Sequence, residues 1–174
     1  MVFLPYTPRA DSEERGYHRW LVEVDNPFFN GVDAIAHYGN WAVAATIRGS
    51  VPFSHFDFMR FESEAAIEQA WSDADLIAFA AGWVEQWGRE PAAAPEVNYH
   101  AYVARRITGH AGSDDTRLFL GLDPAAPADP DEHWEVVRSV VGVPLCRRFA
   151  IRRGAEPDAG WARKAVEGRL IAAP

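Results

Sequence analysis

Cysteine is nearly missing from this chain: Cys146 is the single one in 174 residues. One thiol cannot build an internal disulfide framework or a cysteine-rich zinc site. Lysine is as scarce, with Lys164 alone. Positive charge is outnumbered, 17 basic against 25 acidic residues for a net charge of −8. Binding nucleic acid by counterion release needs clustered cations, so no nucleic-acid partner is expected. The one basic cluster, Arg147, Arg148, Arg152 and Arg153, reads either as a strand edge paired with nearby carboxylates or as an anion contact. Long apolar runs are also missing. Leu76 to Val84 is too short to cross a bilayer, and Pro5 interrupts Met1-Val2-Phe3-Leu4 before a signal-peptide core forms. A soluble, cytoplasmic protein with no membrane contact is expected.

Aromatic residues are plentiful, with 7 Trp, 10 Phe and 5 Tyr. They imply a compact aromatic core or a pocket for a flat, apolar ligand. A chain of this length is one domain by default and buries roughly 70% of its unfolded surface.

Periodicity divides the chain into three parts. Residues 1–15 are polar and proline-containing and read as a loose arm. Over 16–107, Tyr17 to Val24 alternates as a strand, and Gly31 to Tyr38 reads as a short helix. Trp41 to Ile47 and Phe53 to Phe61 read as strands. Ser63 caps a helix that breaks at Ser72-Asp73 and ends at Gly88. Val97 to Ile107 returns to strand. In 108–174, Thr116 to Leu122 and Leu145 to Arg152 read as strands and 123–130 as a linker. Glu132 to Val141 and Asp158 to Leu170 read as helices. This last part is a C-terminal α/β extension or a degenerate second barrel half.

The order over 16–107 is βαββαβ, the ferredoxin-like split unit. Its sheet keeps one face open, which a second sheet must cover. The expected fold is therefore α+β: a ferredoxin-like unit forming a dimeric or internally duplicated α+β barrel, with a homodimer as partner state.

The stretch Ser54-His55-Phe56-Asp57-Phe58-Met59-Arg60-Phe61-Glu62-Ser63, followed by Glu64, Ala65, Ala66 and Ile67, resembles dimeric α+β barrel proteins. Within them it is similar to the stress-responsive A/B barrel group, the olivetolic acid cyclase-like proteins. The resemblance implies that His55 points into a barrel pocket and that Tyr38 stands near it. The group's second histidine position is Leu76 here.

His55 and Asp57 lie two apart on one strand face, so both can line one cavity. A carboxylate beside an imidazole raises its basicity and fixes its tautomer. His100 and Tyr102 form the same pair on the last strand of the unit and would act as the opposite proton donor. Tyr17, His18 and Arg19 could join them, with the face of His18 left open by strand parity. Trp41, Phe53 and Met59 would form the pocket wall. No close metal-ligand spacing, nucleophile elbow or phosphate loop is present, so no metal and no cofactor is expected. His110 and His133 sit in polar surroundings and suggest no role.

The resulting expectation is a small-molecule enzyme performing cofactor-independent acid–base chemistry on a hydrophobic, aromatic or polyketide-like substrate. Cyclisation, isomerisation and elimination are its reaction types. A cofactor-free monooxygenase of a phenol and a non-catalytic hydrophobic-ligand-binding protein are the alternatives.

Overall fold

The computed structural model describes residues 1–109, 116–124, 131–154, 156–158 and 160–174. Eight strands, β1 (Val2–Tyr6), β2 (His37–Arg48), β3 (His55–Arg60), β4 (Ala101–Gly109), β5 (Arg117–Pro124), β6 (Glu132–Val141), β7 (Arg148–Arg152) and β8 (Ala162–Ala172), close into one antiparallel barrel. Around the ring the order is β1-β3-β2-β8-β5-β7-β6-β4. The first four strands lie side by side as β4-β1-β3-β2 and the last four as β8-β5-β7-β6. Two four-stranded halves thus meet at the β2–β8 and β4–β6 seams.

Helices cover the outside of the first half. One runs as α1 (Tyr17–Trp20), a π-helical turn (Leu21–Asp25) and α2 (Asn26–Asn30); α3 (Glu64–Ser72), α4 (Ala74–Trp87) and the short α5 (Pro95–Asn98) follow β3. Their limits follow from local chemistry. Ser63 Oγ accepts from the Ala66 amide, and Asp73 Oδ1 accepts from the amides of Asp75 and Leu76, satisfying donors that a helix start leaves free.

These findings correct the expected fold. The molecule is mostly β, and a single chain closes the ring, so neither a ferredoxin-like α+β barrel nor a C-terminal α/β extension describes it. Residues 108–174 supply half the barrel wall. Glu132 to Val141 is strand β6 rather than a helix, and most of Asp158 to Leu170 is strand β8. Val136, Val137, Val140 and Val141 make the reason visible, since β-branched side chains lose little on a pleated surface and more in a helix. Tyr17 to Val24 errs the other way. Its alternation is real, but the segment is helical and packs across the barrel. Gly31 to Tyr38 is no helix, and the arm at 1–15 is not loose, because β1 pairs with both β3 and β4. His110 and residues 125–130 of the expected linker lie outside the described residues, and Asp123 and Pro124 belong to β5.

The interior is solid. Phe3, Trp41, Phe56, Phe58, Tyr102, Leu118, Leu120, Trp134, Phe149, Ile151 and Val166 fill it. Phe149 packs on Phe3 with ring centroids 5.0 Å apart and lies parallel to Phe58 and Trp134. Gly168 makes room on β8: a Cβ there would stand 2.6 Å from the tip of Phe56. Of the basic cluster, Arg153 pairs with the fully buried Glu132 at 2.7 Å, and the amides of Arg147 and Arg148 donate to Asp123.

Because Phe149 is fully buried at the centre of this stack, Phe149→Ala should cost about 3–5 kcal/mol in denaturant unfolding. Val143→Ala, at a side chain left 78% exposed, should cost less than about 0.5 kcal/mol.

Candidate functional site

Strand alternation splits β3 into two faces. Phe56 and Phe58 enter the barrel, whereas His55, Asp57 and Met59 point outward beneath the helices. The expected orientation, with His55 pointing into a barrel pocket, is thus reversed. The interior of a small closed barrel has to be filled by side chains, so the bulky aromatic face goes there. The outward face is left for groups that can hydrogen-bond to a covering element.

Register then assembles a polar cluster. Leu4, Asp57 and Asn40 stand level on β1, β3 and β2; Val2, Met59 and Tyr38 form the next row, and Tyr6, His55 and Ala42 another. The helix over 17–30 brings Asp25 down onto this surface from the last position of its π-helical turn. Such turns re-aim one side chain within a helix and recur at functional sites. Asp25 and Asp57 are 2% and 5% exposed.

The two carboxyls share one phenol. Tyr38 Oη lies 2.9 Å from Asp25 Oδ2 and 2.8 Å from Asp57 Oδ2. Its single hydrogen serves only one of them. The other contact is made by a carboxyl O–H donating to the phenol oxygen, so the pair holds a proton of its own. Asn40 Nδ2 donates within the same group, lying 2.9 Å from Asp25 Oδ2, 3.0 Å from Tyr38 Oη and 3.2 Å from Asp57 Oδ1. Tyr6 Oη donates to Asp57 Oδ1 at 3.2 Å.

A chain of amides sets the orientation of Asn40. The Tyr38 backbone amide can only donate, and it donates to Asn30 Oδ1. Asn30 Nδ2 therefore faces Asn26 Oδ1, and Asn26 Nδ2 in turn donates to Asn40 Oδ1. Asn40 is left with its Nδ2 toward the carboxyls. An ambiguous flip is thus decided by one backbone hydrogen three residues away in the network.

Burial dominates the electrostatics. It pushes the Asp25 carboxyl up to about 7, against which the hydrogen bonds from Asn40 and Tyr38 pull down. Asp57 is driven well above the usual carboxylate range by burial and then by the neighbouring Asp25 charge. The groups that contact the pair are neutral phenols and amides, which stabilise one negative charge better than two.

A cavity of about 70 Å³ opens onto this cluster, lined by Asp25, Asp57, Tyr6, Tyr38, Trp83 and apolar neighbours. Leu4, Phe29, Ala80 and Tyr99 also line an adjoining apolar cavity of about 290 Å³, which continues under α4 to Met59, Trp71 and Leu76. Together they form a greasy slot with a polar end.

Of the residues singled out from sequence, Asp57 and Tyr38 meet in this cluster. Met59 lines the apolar cavity. His55 is buried on the far side of Tyr6, stacked on it with ring centroids 5.6 Å apart and in contact with His18 at 3.0 Å. Burial and then the His18 charge hold His55 down at about 4. Tyr17 accepts from Trp83 Nε1 behind the cluster, and Arg19 is exposed beside Glu23. His100 and Tyr102 are not brought to Asp57. Tyr102 points into the barrel and donates to the Val143 carbonyl, and His100 packs against it near Gly142. Trp41 and Phe53 likewise belong to the barrel core. The sequence reading missed Tyr6, Asp25, Asn26, Asn30 and Asn40. Alternation in Val2-Phe3-Leu4-Pro5-Tyr6 was the available signal for Tyr6; Asp25 depends on a π-helical turn that no periodicity announces.

Asp25 gives a test of the shared proton. In the folded chain it stays protonated up to about 7, whereas an exposed aspartate loses its proton near 3.8. Between these values the folded state binds more protons than the unfolded one, so this group's contribution to stability falls as pH rises. His55 acts oppositely, adding stability as pH rises from about 4 to 6.5, but it is common to both proteins. Asp25 faces Tyr38, Asn40 and Asp57, with Tyr17 also close enough to feel its charge. Unfolding free energies from pH 4 to 8 should therefore show Asp25→Asn gaining on the native protein as pH rises, by an amount on the order of a few kcal/mol.

Compared with protein-family models, with curated proteins and with solved structures, the chain has no significant match. The likeness to the stress-responsive A/B barrel group is therefore without support, the closed barrel contradicts it, and the lyase, isomerase and cyclase classes it implied fall with it.

Proposed function

We propose that the protein is a small-molecule enzyme that moves a proton on a largely apolar ligand held between the barrel wall and α4, with the Asp25–Asp57 pair as combined acid and base. The observation that carries this reading is the phenol shared between two buried carboxyls at the polar end of an apolar slot. General acid–base catalysis needs a donor and an acceptor within reach of one substrate, each with a proton affinity near working pH. A carboxyl pair holding one proton supplies both at once, and its dry surroundings keep water from competing. The apolar cavity, with Leu4, Phe29, Leu76 and Tyr99 on its walls, suits a hydrocarbon or aromatic body. Tyr6, Tyr38 and the carboxyls suit a single carbonyl or hydroxyl at its end. No helix among the described residues is long and apolar enough to cross a membrane.

The reading differs from the sequence expectation in its location and its residues. Chemistry sits outside the barrel rather than within it, and Asp25 takes the place given to His100.

A panel of hydrophobic ketones and phenols, screened by quenching of tryptophan fluorescence, to which Trp83 and Trp71 on the cavity walls contribute, should yield binders. Ala80→Trp, at a position that lines both cavities, should narrow them and weaken binding while the chain still unfolds cooperatively. For a bound ketone, incorporation of solvent deuterium at the carbon beside the carbonyl should be detectable by NMR. Asp57→Asn or Asp25→Asn should slow it by about 10²–10⁴-fold. Binding without deuterium exchange would replace the enzyme reading with that of a ligand-binding protein.

A further inference from the structure

On the other side of Tyr6 from the cavity, three ligand-type side chains converge. Glu13 precedes α1, His18 lies in its first turn, and His55 begins β3. His18 Nε2 is 3.0 Å from His55 Nε2 and 3.1 Å from Glu13 Oε1, and one ligand atom from each residue lies within 4.8 Å of the others. We infer that these three residues form a binding site for one divalent transition-metal ion of the zinc class, independent of the chemistry assigned to Asp25 and Asp57.

The arrangement is poorly explained by hydrogen bonding alone. An imidazole Nε2 carries either one hydrogen or one lone pair in the ring plane. His18 Nε2 nevertheless has two partners at hydrogen-bonding distance, one a carboxylate oxygen and the other an imidazole nitrogen. A single cation placed among the three atoms accepts a lone pair from each. Tetrahedral zinc with Zn–N bonds of about 2.0–2.1 Å holds its nitrogen ligands roughly 3.3 Å apart, close to the separation found here.

The surroundings also suit an ion. Ser54 Oγ lies 2.9 Å from His55 Nδ1. When Nδ1–H donates to that hydroxyl, the Nε2 lone pair is left free and aimed outward, the usual outer support of a ligating histidine. Tyr6 stacks on the His55 ring and Tyr17 meets it edge-on, which restricts its rotation. By contrast, the His18 and Glu13 side chains are 43% and 55% exposed, so an ion can enter and water can complete its shell. Two imidazoles and a carboxylate favour zinc, cobalt, nickel or ferrous iron over calcium or magnesium, which take oxygen ligands. A bound ion would tie the helix carrying Asp25 to the strand carrying Asp57.

Chelator-treated protein titrated with Zn²⁺ by calorimetry should bind one ion per chain, and Co²⁺ should give visible d–d absorption with the same stoichiometry. Loss of an inner ligand should exceed the effect of disturbing an outer one, so His18→Ala and Glu13→Gln should each weaken binding roughly 10-fold or more. Both side chains are partly exposed, so these variants avoid the folding risk carried by the buried His55→Ala. His133→Ala serves as control and should bind as the native chain does. Absence of stoichiometric uptake, or uptake unchanged in His18→Ala and Glu13→Gln, would overturn the proposal. Deuterium exchange on a bound ketone is a separate readout, so failure here leaves the acid–base reading of the Asp25–Asp57 pair to stand or fall by its own test.

Discussion

Successive side chains of a strand must point to opposite sides, and in β3 that constraint organises the whole molecule. Closing eight strands into a narrow ring makes the inside a place only packed side chains can occupy. Phe56 and Phe58 go there with Phe3, Phe149 and Trp134. His55, Asp57 and Met59 are thereby committed to the outside, where α4 and the helix over 17–30 shield them from water. A slip of one residue in register would send Asp57 into an aromatic core with no partner, at a cost no fold of this size could absorb.

The helices do more than cover. The barrel alone presents Tyr38, Asn40 and Asp57 as a polar patch, but the second carboxyl comes from Asp25, on a different element. Bringing two acids together beneath an apolar roof raises both their proton affinities, and neutral donors keep the pair satisfied without cancelling its charge. Asn26 and Asn30 then hold Asn40 in the one orientation that donates to the carboxyls. The polar network is therefore coupled to the helix position, and the cavity beneath α4 lies where the two meet. The His18–His55–Glu13 cluster joins the same two elements on the opposite side of Tyr6, so helix and strand are clamped across a short distance from both sides.

Much of the local structure was legible in the residues. The caps at Ser63 and Asp73, the break between α3 and α4, the end at Gly88, and the strands around Ala42, Phe56, Tyr102, Leu120 and Phe149 all follow from short-range signals. Longer-range features were not. Tyr17 to Val24 alternates like a strand yet is helical, because its Tyr17 and Leu21 are buried against the barrel at helical spacing. Glu132 to Val141 was misread despite its four valines, and Asp158 to Leu170 because it mixes charged and small residues that either structure accommodates. Pairing with β4 and β7, or with β2 and β5, fixes both as strands. At the site, Asp57 was within reach of pattern reasoning and Tyr38 was named only through a resemblance that the fold contradicts, whereas His100 and Tyr102 were given equal standing until parity placed them on the barrel's other face.

The residues alone determined that a single cysteine cannot build an internal disulfide framework, that acidic residues outnumber basic ones, that many aromatic rings need burial, and that His55 and Asp57 share one face of a strand. Tertiary structure decided which way that face looks. Parity within a strand is a local property of the backbone, but inside and outside exist only once the ring closes, and closure depends on pairings between β2 and β8 and between β4 and β6, more than a hundred and about thirty residues apart. The second carboxyl, the shared phenol and the convergence of Glu13 with two histidines arise from packing of the helix over 17–30 on β2 and β3, because each requires side chains from separate elements.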